Sequence, residues 1–396
     1  MNILFGHDHV FYYDSDGVFY SGGGLPSVVW ERYLSVFDSI TVVGRDGGVV
    51  DLSTCSSMAV SSCKGVEFSL VKSVSTIKAK LFGDKVVRAI VANLVASHDA
   101  VIARLSSEIG LLLILEARSQ GKPYAVELVD CPFDALWGFG GVKAKIYAPF
   151  FAWQVRAAMK KSLFSLYVTK HFLQGRYPSP NARTVDCSNV QISEISCSVI
   201  ERRLSRLDLN SAILRIGLIG SLSGNLKGIE TALRSLAVLF HRGIDFEFHV
   251  LGSGDPQPYI RQAEKLGISD KVYFDGVLPS GGPVLEWLDN IDIYIHPSLK
   301  EGLPRALIEA MSRGCPAVAT NIAGTPELLS DSFLIQRHDY RALANKISLF
   351  IAEPATRRAQ AVANFQMAKN YYADILADKR VRFWVDFARY VQGSNK

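Results

Sequence analysis

Short β-rich runs alternate with amphipathic helical stretches through both halves of this chain of 396 residues. A parallel pair of strands needs a long crossover connection, usually a helix, so strands that alternate with helices predict a parallel sheet. Because the alternation forms two series, we predict an α/β protein of two doubly wound, Rossmann-like domains. Ligands in such folds bind at the carboxyl ends of the strands, so we expect the ligand in a central cleft between the domains.

The apolar periodicity places the elements of each series. In the first half we predict strands at residues 3–5, 39–43, 100–103 and 124–129, and helices at residues 26–37, 86–96 and 106–120. In the second half we predict strands at residues 215–219, 247–251, 271–274, 291–296 and 317–320, and helices at residues 229–242, 258–266, 283–288, 304–313 and 340–352. A charged stretch, residues 201–211, is the expected boundary. The predicted domains cover residues 1–204 and 212–370, and a final helix at residues 375–396 is expected to pack back on the first domain.

Composition limits the class of protein. Hydrophobic residues make up 48% of the chain and charged residues 20%, as in globular proteins. The net charge of +5 is mild and no dense Lys/Arg stripe occurs, which argues against nucleic acid as a partner. The six cysteines, at positions 55, 63, 131, 187, 197 and 315, lack metal-type spacing, so we expect reduced and mostly buried thiols.

Hydropathy bears on where the protein acts. Residues 1–9 lack the basic region and long apolar core of a signal peptide. No uncharged apolar run in the sequence reaches the roughly 18 residues that span a bilayer. We therefore expect a cytoplasmic protein.

The segment from Glu301 to Glu309 predicts a binding site. Pro304 suits the first residue of a helix, where the N–H that proline lacks would have no partner, so Glu301 and Gly302 fall in the preceding loop. The free N–H groups and the dipole of a helix start favour phosphate, and carboxylates accept hydrogen bonds from sugar hydroxyls. A sugar nucleotide fits these properties. Taken alone, the two glutamates also fit ordinary surface charges.

Two further loops follow predicted strands of the second half. Between Gly220 and Gly228, a loop of small residues precedes Lys227 at a helix start, and such a loop can cradle phosphate with its amides and one cation. Its spacing does not match a P-loop. The other loop, residues 251–255, contains Gly252. Three loops on one sheet edge predict a single pocket.

With residues 271–276 and 324–327, these segments resemble the family 4 retaining glycosyltransferases of the GT-B fold. The resemblance covers residues 213–330 in sequence and the N-terminal half only in architecture. It implies that Glu301 binds hydroxyls of the donor sugar, that Lys227 neutralises the leaving diphosphate, and that Glu309 binds the ribose. The donor-site residues it implies are Gly23, Gly24, Ser221, Gly252, Val277, Leu278, Gly302, Leu303, Pro304, Arg305 and Glu309.

The resemblance also implies the co-substrate, a UDP- or GDP-sugar, and no metal ion, since enzymes of this fold generally need none. One position departs from the family pattern. Where relatives often carry an arginine after the glycine that ends the first strand, this chain has Ser221. Arg305 is a candidate substitute for that cation, or a solvated residue of a first helical turn. The departure leaves room for a weak or silent transferase.

The first half of the chain should hold the acceptor. The loop at residues 21–26, with Gly23 and Gly24, resembles the loop that closes over the donor phosphate in this family, although an ordinary turn has the same composition. Asp130 follows a predicted strand, where it could act on the acceptor hydroxyl as a catalytic residue or simply cap the strand end. His7, after the first strand, is a weaker candidate.

Residues 137–161 mix aromatic with basic side chains. The mixture suits a surface that rests on anionic lipid, and it suits equally a buried helix with a solvated basic face. Lipid contact would favour a polyprenyl-diphosphate-linked acceptor.

Taken together, these features predict a retaining hexosyltransferase that extends a lipid-linked or growing surface-polysaccharide glycan, in the cytoplasm or peripheral at the inner face of the membrane. Two alternatives remain open. One is a sugar-nucleotide epimerase or hydrolase of the same fold. The other is a catalytically silent subunit that binds a nucleotide sugar or a partner, which Ser221 favours.

Overall fold

The computed structural model describes residues 1–51, 58–72, 85–139, 141–208 and 213–394, and the chain divides into two compact units. Unit 1 comprises Met1–Cys187 and Ala377–Lys396, and unit 2 comprises Ser188–Leu376. The first change of unit, after Cys187, therefore comes earlier in the chain than the boundary predicted at residue 204.

The strands of the described residues form two sheets. The unit 1 sheet contains β1 (Asn2–Tyr13), β2 (Phe19–Ser21), β3 (Ser39–Val49), β4 (Ala59–Val60), β5 (Val66–Val71), β6 (Ala100–Leu105), β7 (Tyr124–Leu128), β8 (Phe164–Tyr167) and β9 (Arg183–Asp186). The unit 2 sheet contains β10 (Leu214–Ile219), β11 (Phe246–Leu251), β12 (Val272–Gly276), β13 (Ile293–His296), β14 (Ala317–Thr320) and β15 (Leu334–Ile335).

Helices alternate with these strands. They are α1 (Glu31–Leu34), α2 (Lys85–Ser97), α3 (Glu108–Ser119), α4 (Pro132–Phe139), α5 (Val142–Lys161), α6 (Phe172–Arg176), α7 (Ser198–Asp208), α8 (Ile229–His241), α9 (Gln257–Lys265), α10 (Gly282–Asp289), α11 (Arg305–Ser312), α12 (Tyr340–Ala352), α13 (Pro354–Ala368) and α14 (Ala373–Ser394). Short 3₁₀ turns lie at Ser27–Val29, Asn225–Lys227, Ser269–Lys271, Thr325–Glu327, Asp331–Phe333 and Lys369–Tyr371.

The sheet of unit 1 is mainly parallel. Strand β1 lies between β3 and β6, β5 lies beyond β3, and β7, β8 and β9 follow β6 in order. Among the described strands of this sheet, only β2 and β4 are antiparallel additions, next to the end of β1. Helix α3 packs so closely on β1 that a Cβ added at Gly6 would lie 2.0 Å from Leu113 Cδ1.

An aromatic layer covers part of the unit 1 sheet. The indole of Trp384, on α14, is fully buried and its ring centroid lies 5.5 Å from that of Tyr33 and 6.2 Å from that of Phe37. Tyr33 and Trp30 in turn pack on Phe5 of β1, with centroids 5.5 and 5.3 Å apart. The C-terminal helix thus contributes to the core of unit 1, because large aromatic side chains bury more apolar area than any others.

The sheet of unit 2 is entirely parallel among the described strands, in the order β12-β11-β10-β13-β14-β15. Residues Leu214 to Ile219 pair one for one with Phe246 to Leu251, so the loops after β10 and β11 leave the sheet side by side. The order reverses at β10, which is the position where doubly wound sheets bind ligands.

The boundary expected at residues 201–211 is wrong over its described part. Residues 201–208 belong to α7, a helix of unit 2, and residues 209–211 lie outside the described residues. Arg203 is 3% exposed and donates hydrogen bonds to the carbonyl oxygens of Arg313, at 2.9 Å, Leu288, at 2.8 Å, and Ile291. A charged stretch looks like a linker in sequence, but here one arginine is buried because carbonyl groups satisfy its donors.

The helix predicted at residues 26–37 is shorter than expected. A 3₁₀ turn at Ser27–Val29 leads into α1, which has only four residues. The first backbone bonds, from Val29 N to Pro26 O and from Trp30 N to Ser27 O, both span three residues. Burial of Val29, Trp30 and Phe37 produced the helical periodicity, but the backbone satisfies it with tighter turns.

The described cysteines are all free thiols. Cys131, Cys187 and Cys315 are buried, Cys63 is partly buried and Cys197 is exposed. Position 55 lies outside the described residues.

Within the part of the chain that the structure describes, no helix combines the length and apolar character needed to cross a bilayer.

Candidate functional site

Backbone contacts tie together the loops at the carboxyl edge of the unit 2 sheet. Gly220 N donates to Leu251 O at 2.9 Å, and Gly252 N donates to Gly276 O at 2.7 Å. Glycine is required at position 252 because an added Cβ would lie 2.0 Å from Gly220 O. The loops that follow β10, β11 and β12 are therefore neighbours. The first two of them belong to the three loops that were predicted to share one edge.

Lys227 is fixed by the turn that carries it. It ends the 3₁₀ turn Asn225–Lys227, and the next residue, Gly228, begins α8 with a φ of +70°. A Cβ at Gly228 would lie 1.9 Å from Pro297 O, so only glycine allows the turn to approach the loop after β13 so closely. Leu299 N donates to Leu226 O at 2.8 Å, which closes the contact between the two loops.

Glu301 lies at the centre of this edge. Its side chain is 10% exposed, and its Oε1 accepts hydrogen bonds from Lys227 Nζ at 2.7 Å and from His296 Nε2 at 2.8 Å. Burial alone would raise the pKa of the Glu301 carboxyl. The charges and hydrogen bonds of His296 and Lys227 outweigh burial, so the pKa is held well below its ordinary value. The group is therefore a buried carboxylate that stays ionised.

His296 is a residue of this cluster that the sequence did not identify. It ends β13 and is 2% exposed. Its Nδ1 lies 3.3 Å from the hydroxyl of fully buried Tyr294, and its Nε2 lies 3.2 Å from Ser298 Oγ as well as beside Glu301. Its place at the carboxyl end of a predicted strand, five residues before Glu301, was the one available signal.

Glu309 and Arg305 lie on α11. Burial raises the pKa of the Glu309 carboxyl, and the positive charge of Arg305 partly offsets that rise. Arg305 itself is exposed. Helix α11 begins at Arg305, and Pro304 is its N-cap with φ −73° and ψ 103°, one residue from the predicted position.

The remaining predicted donor-site residues of unit 2 lie on loops around this edge. Gly302 O accepts from Gly324 N at 2.9 Å, and Leu303 is 8% exposed. Ser221 is exposed and its Oγ accepts from Ser223 N at 3.1 Å. Val277 is 67% exposed and Leu278 partly buried, directly after β12. Their assignment to a donor remains a prediction.

In unit 1, Asp130 follows β7, as expected. Its Oδ1 accepts from Cys131 N at 2.7 Å, which is the local contact of a strand-end aspartate, and Ser106 Oγ lies 3.4 Å from its carbonyl oxygen. This contact agrees with the capping role weighed in the sequence and holds the carboxylate in one orientation.

The glycine-rich loop of unit 1 is anchored at His9. Ser21 Oγ lies 2.7 Å from His9 Nε2 and accepts from Leu25 N at 3.1 Å. Gly23 has a φ of +99°, and a Cβ at Gly24 would lie 2.9 Å from His9 Cε1. The loop therefore closes over the imidazole of His9, a contact that the sequence did not reveal.

A cluster of titratable groups surrounds His7 and His9. Both histidines lie within β1, so the prediction that His7 follows the first strand is wrong, because β1 continues to Tyr13. Burial, and then the charge of Arg104, lowers the pKa of His9 to about 4. The pKa of His7 is also lowered well below its ordinary value, by burial first and then by Arg104, His9 and Arg45. His7 Nδ1 is buried and has no hydrogen-bond partner among the described residues. Both imidazoles are therefore neutral.

Arg104 belongs to a buried network behind these histidines. Its Nε lies 3.9 Å from Glu127 Oε2, and Tyr33 donates its hydroxyl to Glu127 Oε1 at 2.7 Å. Asp8 forms a salt bridge with Arg45 at 3.0 Å. The Asp8 carboxylate also accepts hydrogen bonds from Glu108 N and Ile109 N at the start of α3, each at 2.9 Å.

In the described ranges, no group of three or more His, Cys, Asp or Glu side chains could hold a metal ion.

The second half of the chain matches a known family. Residues 214–353 match the family described as "Glycosyl transferases group 1", which covers β10 to α12 and all the loops of the unit 2 edge. The group 1 resemblance is thereby confirmed for this domain. The finer assignment to family 4 stays a prediction.

Two relatives differ in how far the similarity extends. Protein CapJ of Staphylococcus aureus is 27% identical over 391 residues, 99% of this chain and 97% of CapJ. The putative colanic acid biosynthesis glycosyltransferase WcaL of Escherichia coli is 34% identical over 134 residues, 31% of this chain and 33% of WcaL. The chain thus matches nearly all of one relative and a third of the other.

Solved structures extend the similarity to the whole fold. Sucrose-phosphate synthase from Thermosynechococcus elongatus matches with a TM-score of 0.66 and 14% identity, over 98% of this chain and 100% of that chain. Anabaena HepE in complex with UDP-glucose matches with a TM-score of 0.64 and 17% identity, over 99% and 100%. The predicted fold class, α/β of the GT-B type, is confirmed.

Proposed function

We propose that the protein is a retaining glycosyltransferase that moves a hexose from a UDP- or GDP-sugar to an acceptor hydroxyl. The observation that carries this proposal is the buried contact of Glu301 with Lys227 and His296 at the carboxyl edge of unit 2. In the transfer, the bond from the anomeric carbon to the diphosphate oxygen breaks and a bond to the acceptor oxygen forms. The acceptor proton leaves, and a nucleoside diphosphate is released.

Glu301 is assigned to the sugar hydroxyls. The contacts of its carboxylate that the structure shows among the described residues all involve Oε1, which leaves Oε2 for a ligand. Because the pKa of Glu301 is held low, the group accepts hydrogen bonds at any physiological pH. His296 holds the carboxylate in place, as a positioning residue.

Lys227 is assigned to the diphosphate. The ammonium group of Lys227 forms a salt bridge with Glu301, which lies on a neighbouring loop. A diphosphate bound at the same edge would interact with the same ammonium group. Negative charge grows on the diphosphate as the glycosidic bond breaks, so a fixed cation stabilises the transition state more than the ground state. No metal ion is part of this proposal.

The nucleoside half is assigned to the neighbouring loops. Glu309 would accept hydrogen bonds from the ribose, the amides of Gly302 and Leu303 would face the diphosphate, and the exposed backbone at Val277 and Leu278 would hold the base. The structural neighbour HepE was solved with UDP-glucose, which supports a nucleotide sugar as the ligand of this edge.

The acceptor is proposed to be a lipid-linked or growing polysaccharide glycan, bound by unit 1. WcaL is named for colanic acid biosynthesis, which supports polysaccharide assembly as the setting. Asp130 and the loop with Gly23 and Gly24 are the proposed contacts. The protein would then work in the cytoplasm at the inner face of the membrane.

A thermal-shift titration tests the donor site without knowledge of the acceptor. The melting midpoint is measured with UDP, GDP, ADP and their sugar conjugates, with and without EDTA, since a ligand that binds the native state raises the midpoint by mass action. We expect one nucleotide to raise the midpoint equally with and without EDTA. Lys227→Ala should abolish the shift.

Lys271→Ala is the matched control, because Lys271 also pairs with a carboxylate of unit 2, Asp245 at 2.7 Å, but lies at the opposite end of β12. It should shift like the wild type. No shift with any nucleotide would overturn the donor site.

Ser221 favours a second candidate, a subunit that binds a nucleotide sugar without turnover. Ser221 occupies the position where the resemblance implies an arginine. Arg305, the proposed substitute for that cation, is exposed on α11. Slow release of nucleoside diphosphate that disappears in Glu301→Gln would exclude this candidate. Tight binding of an intact donor over hours would support it.

A further inference from the structure

Helix α5 presents a row of large apolar side chains to solvent. Val142 is 75% exposed, Ile146 74%, Phe150 51% and Trp153 61%. Their spacing of four, four and three residues aligns them on one face, since successive residues turn by roughly 100°. Phe150 and Trp153 stack with ring centroids 5.9 Å apart. We call Val142, Ile146, Phe150 and Trp153 the outer stripe.

The outer stripe is not the core-facing side of the helix. The buried residues of α5 include Phe151, Val155 and Met159, which point to the opposite side at the same turn per residue. Helix α5 therefore has two apolar faces, one packed in unit 1 and one in water. An exposed apolar face of this kind marks an interaction surface.

Basic residues border the outer stripe on both sides. Lys143 and Lys161 project at roughly 65° on one side of it and Lys145 at roughly 95° on the other, by the same turn per residue. Lys160 continues the line of the stripe. All four lysines are exposed, and α5 contains no aspartate or glutamate.

Trp137 of α4 adds a further exposed aromatic ring near the start of α5. It is 48% exposed and stacks on Phe133 with centroids 5.2 Å apart. Aromatic rings beside lysines are the composition of helices that lie in the headgroup region of a bilayer, where the rings enter the boundary of the acyl chains and the ammonium groups meet phosphate.

We propose that the outer stripe, with its border of lysines, docks on the surface of a bilayer that contains anionic lipids. The choice of a bilayer follows from the charge: an all-basic border around an apolar centre matches an anionic surface with an apolar interior. A second copy of the chain would bring lysine against lysine. Docking itself does not depend on the proposed function. Only its role, which is to bring unit 1 to a lipid-linked acceptor, rests on the proposed function.

Cosedimentation of the full chain with vesicles tests the proposal. Vesicles of phosphatidylcholine alone are compared with vesicles that also contain phosphatidylglycerol, at low and at high salt. We expect binding to the anionic vesicles that weakens with salt, and at least tenfold weaker binding to the neutral ones. The double variant Ile146→Ser, Trp153→Ser and the double variant Lys143→Glu, Lys161→Glu should each weaken binding at least tenfold.

Leu115→Ser is the control variant, since Leu115 is 57% exposed in the same unit but on α3. It should bind vesicles like the wild type. Equal binding by Ile146→Ser, Trp153→Ser, or no binding by the wild type to either vesicle, would overturn the proposal. A concentration-dependent dimer that the same variant abolishes would overturn it in favour of a second copy.

The nucleotide thermal shift of each variant separates this proposal from the proposed function. The variants lie on α5 and α3 of unit 1, so the shift should be unchanged in all of them. Loss of vesicle binding with an intact shift supports the docking face alone. A wild type that binds vesicles but no nucleotide would retain the docking face and overturn the donor site.

Discussion

The carboxyl edge of the unit 2 sheet and the cluster of His7 and His9 in unit 1 hold titratable groups in opposite ways. This cluster lies just beyond Gly6, where β1 stops pairing with β6, and we call it the edge of unit 1. In unit 2, the contacts with His296 and with the cation of Lys227 keep Glu301 ionised although burial alone would raise its pKa. In unit 1, burial and cationic neighbours act in the same direction and keep His7 and His9 neutral. The same kind of neighbour thus preserves the charge of an acid and suppresses the charge of a base.

This difference has a chemical consequence. The edge of unit 2 offers an anion and a cation together, which suits a ligand with hydroxyls and a diphosphate. The edge of unit 1 offers neutral imidazoles beside Arg104 and Arg45, which can donate or accept hydrogen bonds without adding charge.

Removal of the cation from the unit 2 edge should have the largest effect. Lys227→Ala should lower kcat/KM for release of nucleoside diphosphate about 10² to 10³-fold, equivalent to about 3 to 4 kcal/mol, because the leaving group loses its fixed cation. The rate is measured with the donor identified by thermal shift. A rate within twofold of the Lys271→Ala control would contradict the assignment.

Removal of a cation from the unit 1 edge should act on stability. Arg104→Gln leaves the buried carboxylate of Glu127 with Tyr33 as its remaining partner in this network, and we expect a loss of about 3 kcal/mol in the free energy of unfolding, measured by urea denaturation. The variant should also raise the pKa of His9, since Arg104 lowers it. An unchanged histidine titration by NMR would show that Arg104 does not set the charge of this edge.

The contributions of the two edges to the free energy of unfolding should change over different ranges of pH. The pKa of His9 falls from 6.5 to about 4 on folding, so its contribution to stability is complete above 6.5 and is lost as the pH falls towards 4, by about 2 kcal/mol after allowance for partial exposure. The pKa of Glu301 is depressed from 4.5, so its contribution persists above 4.5 and is lost only below that.

Hydrogen exchange at pH 7 and pH 5 distinguishes the two edges. Protection of β1 should weaken at pH 5, while protection of β13 should not. His9→Asn should reduce the pH dependence of β1, because asparagine does not titrate, and the part that remains should come from His7, whose pKa is also lowered. Equal weakening in both strands would contradict the comparison.

The smallest expected effect comes from a single hydroxyl. Tyr33→Phe removes the hydrogen bond to Glu127 at 2.7 Å and keeps the ring packed against Trp384 and Phe5. We expect a loss of about 1 to 2 kcal/mol in the free energy of unfolding, measured by urea denaturation, since the bond is made to a buried charged group. Phe37→Leu, which alters packing without a polar change, is a suitable comparison. No loss in Tyr33→Phe would show that Glu127 is held by Arg104 alone.

Much of the unit 2 site could be predicted from the sequence. Strand β14 and helix α12 begin and end where predicted, and Lys227 and Glu301 meet as expected of two loops on one edge. His296 could not be assigned from sequence, because a histidine at the end of an apolar run is as often a core residue as a partner of a carboxylate. The charged stretch of α7 was taken for a domain boundary because the sequence does not show that one of its charged residues, Arg203, is buried.

The sequence by itself determined the order of the predicted strands and helices and the loops that carry Glu301 and Lys227, because apolar periodicity and the positions of glycine and proline act within a few residues of the chain. Six of the described strands, β2, β4, β5, β8, β9 and β15, were not predicted. Only the tertiary structure decided which side chains meet across those loops. The contact of Arg104 with Glu127, the closure of the Ser21 loop over His9 and the contact of His296 with Glu301 set the charge state of each edge. Those contacts depend on distances in space, and the periodicity of residues along the chain does not predict them.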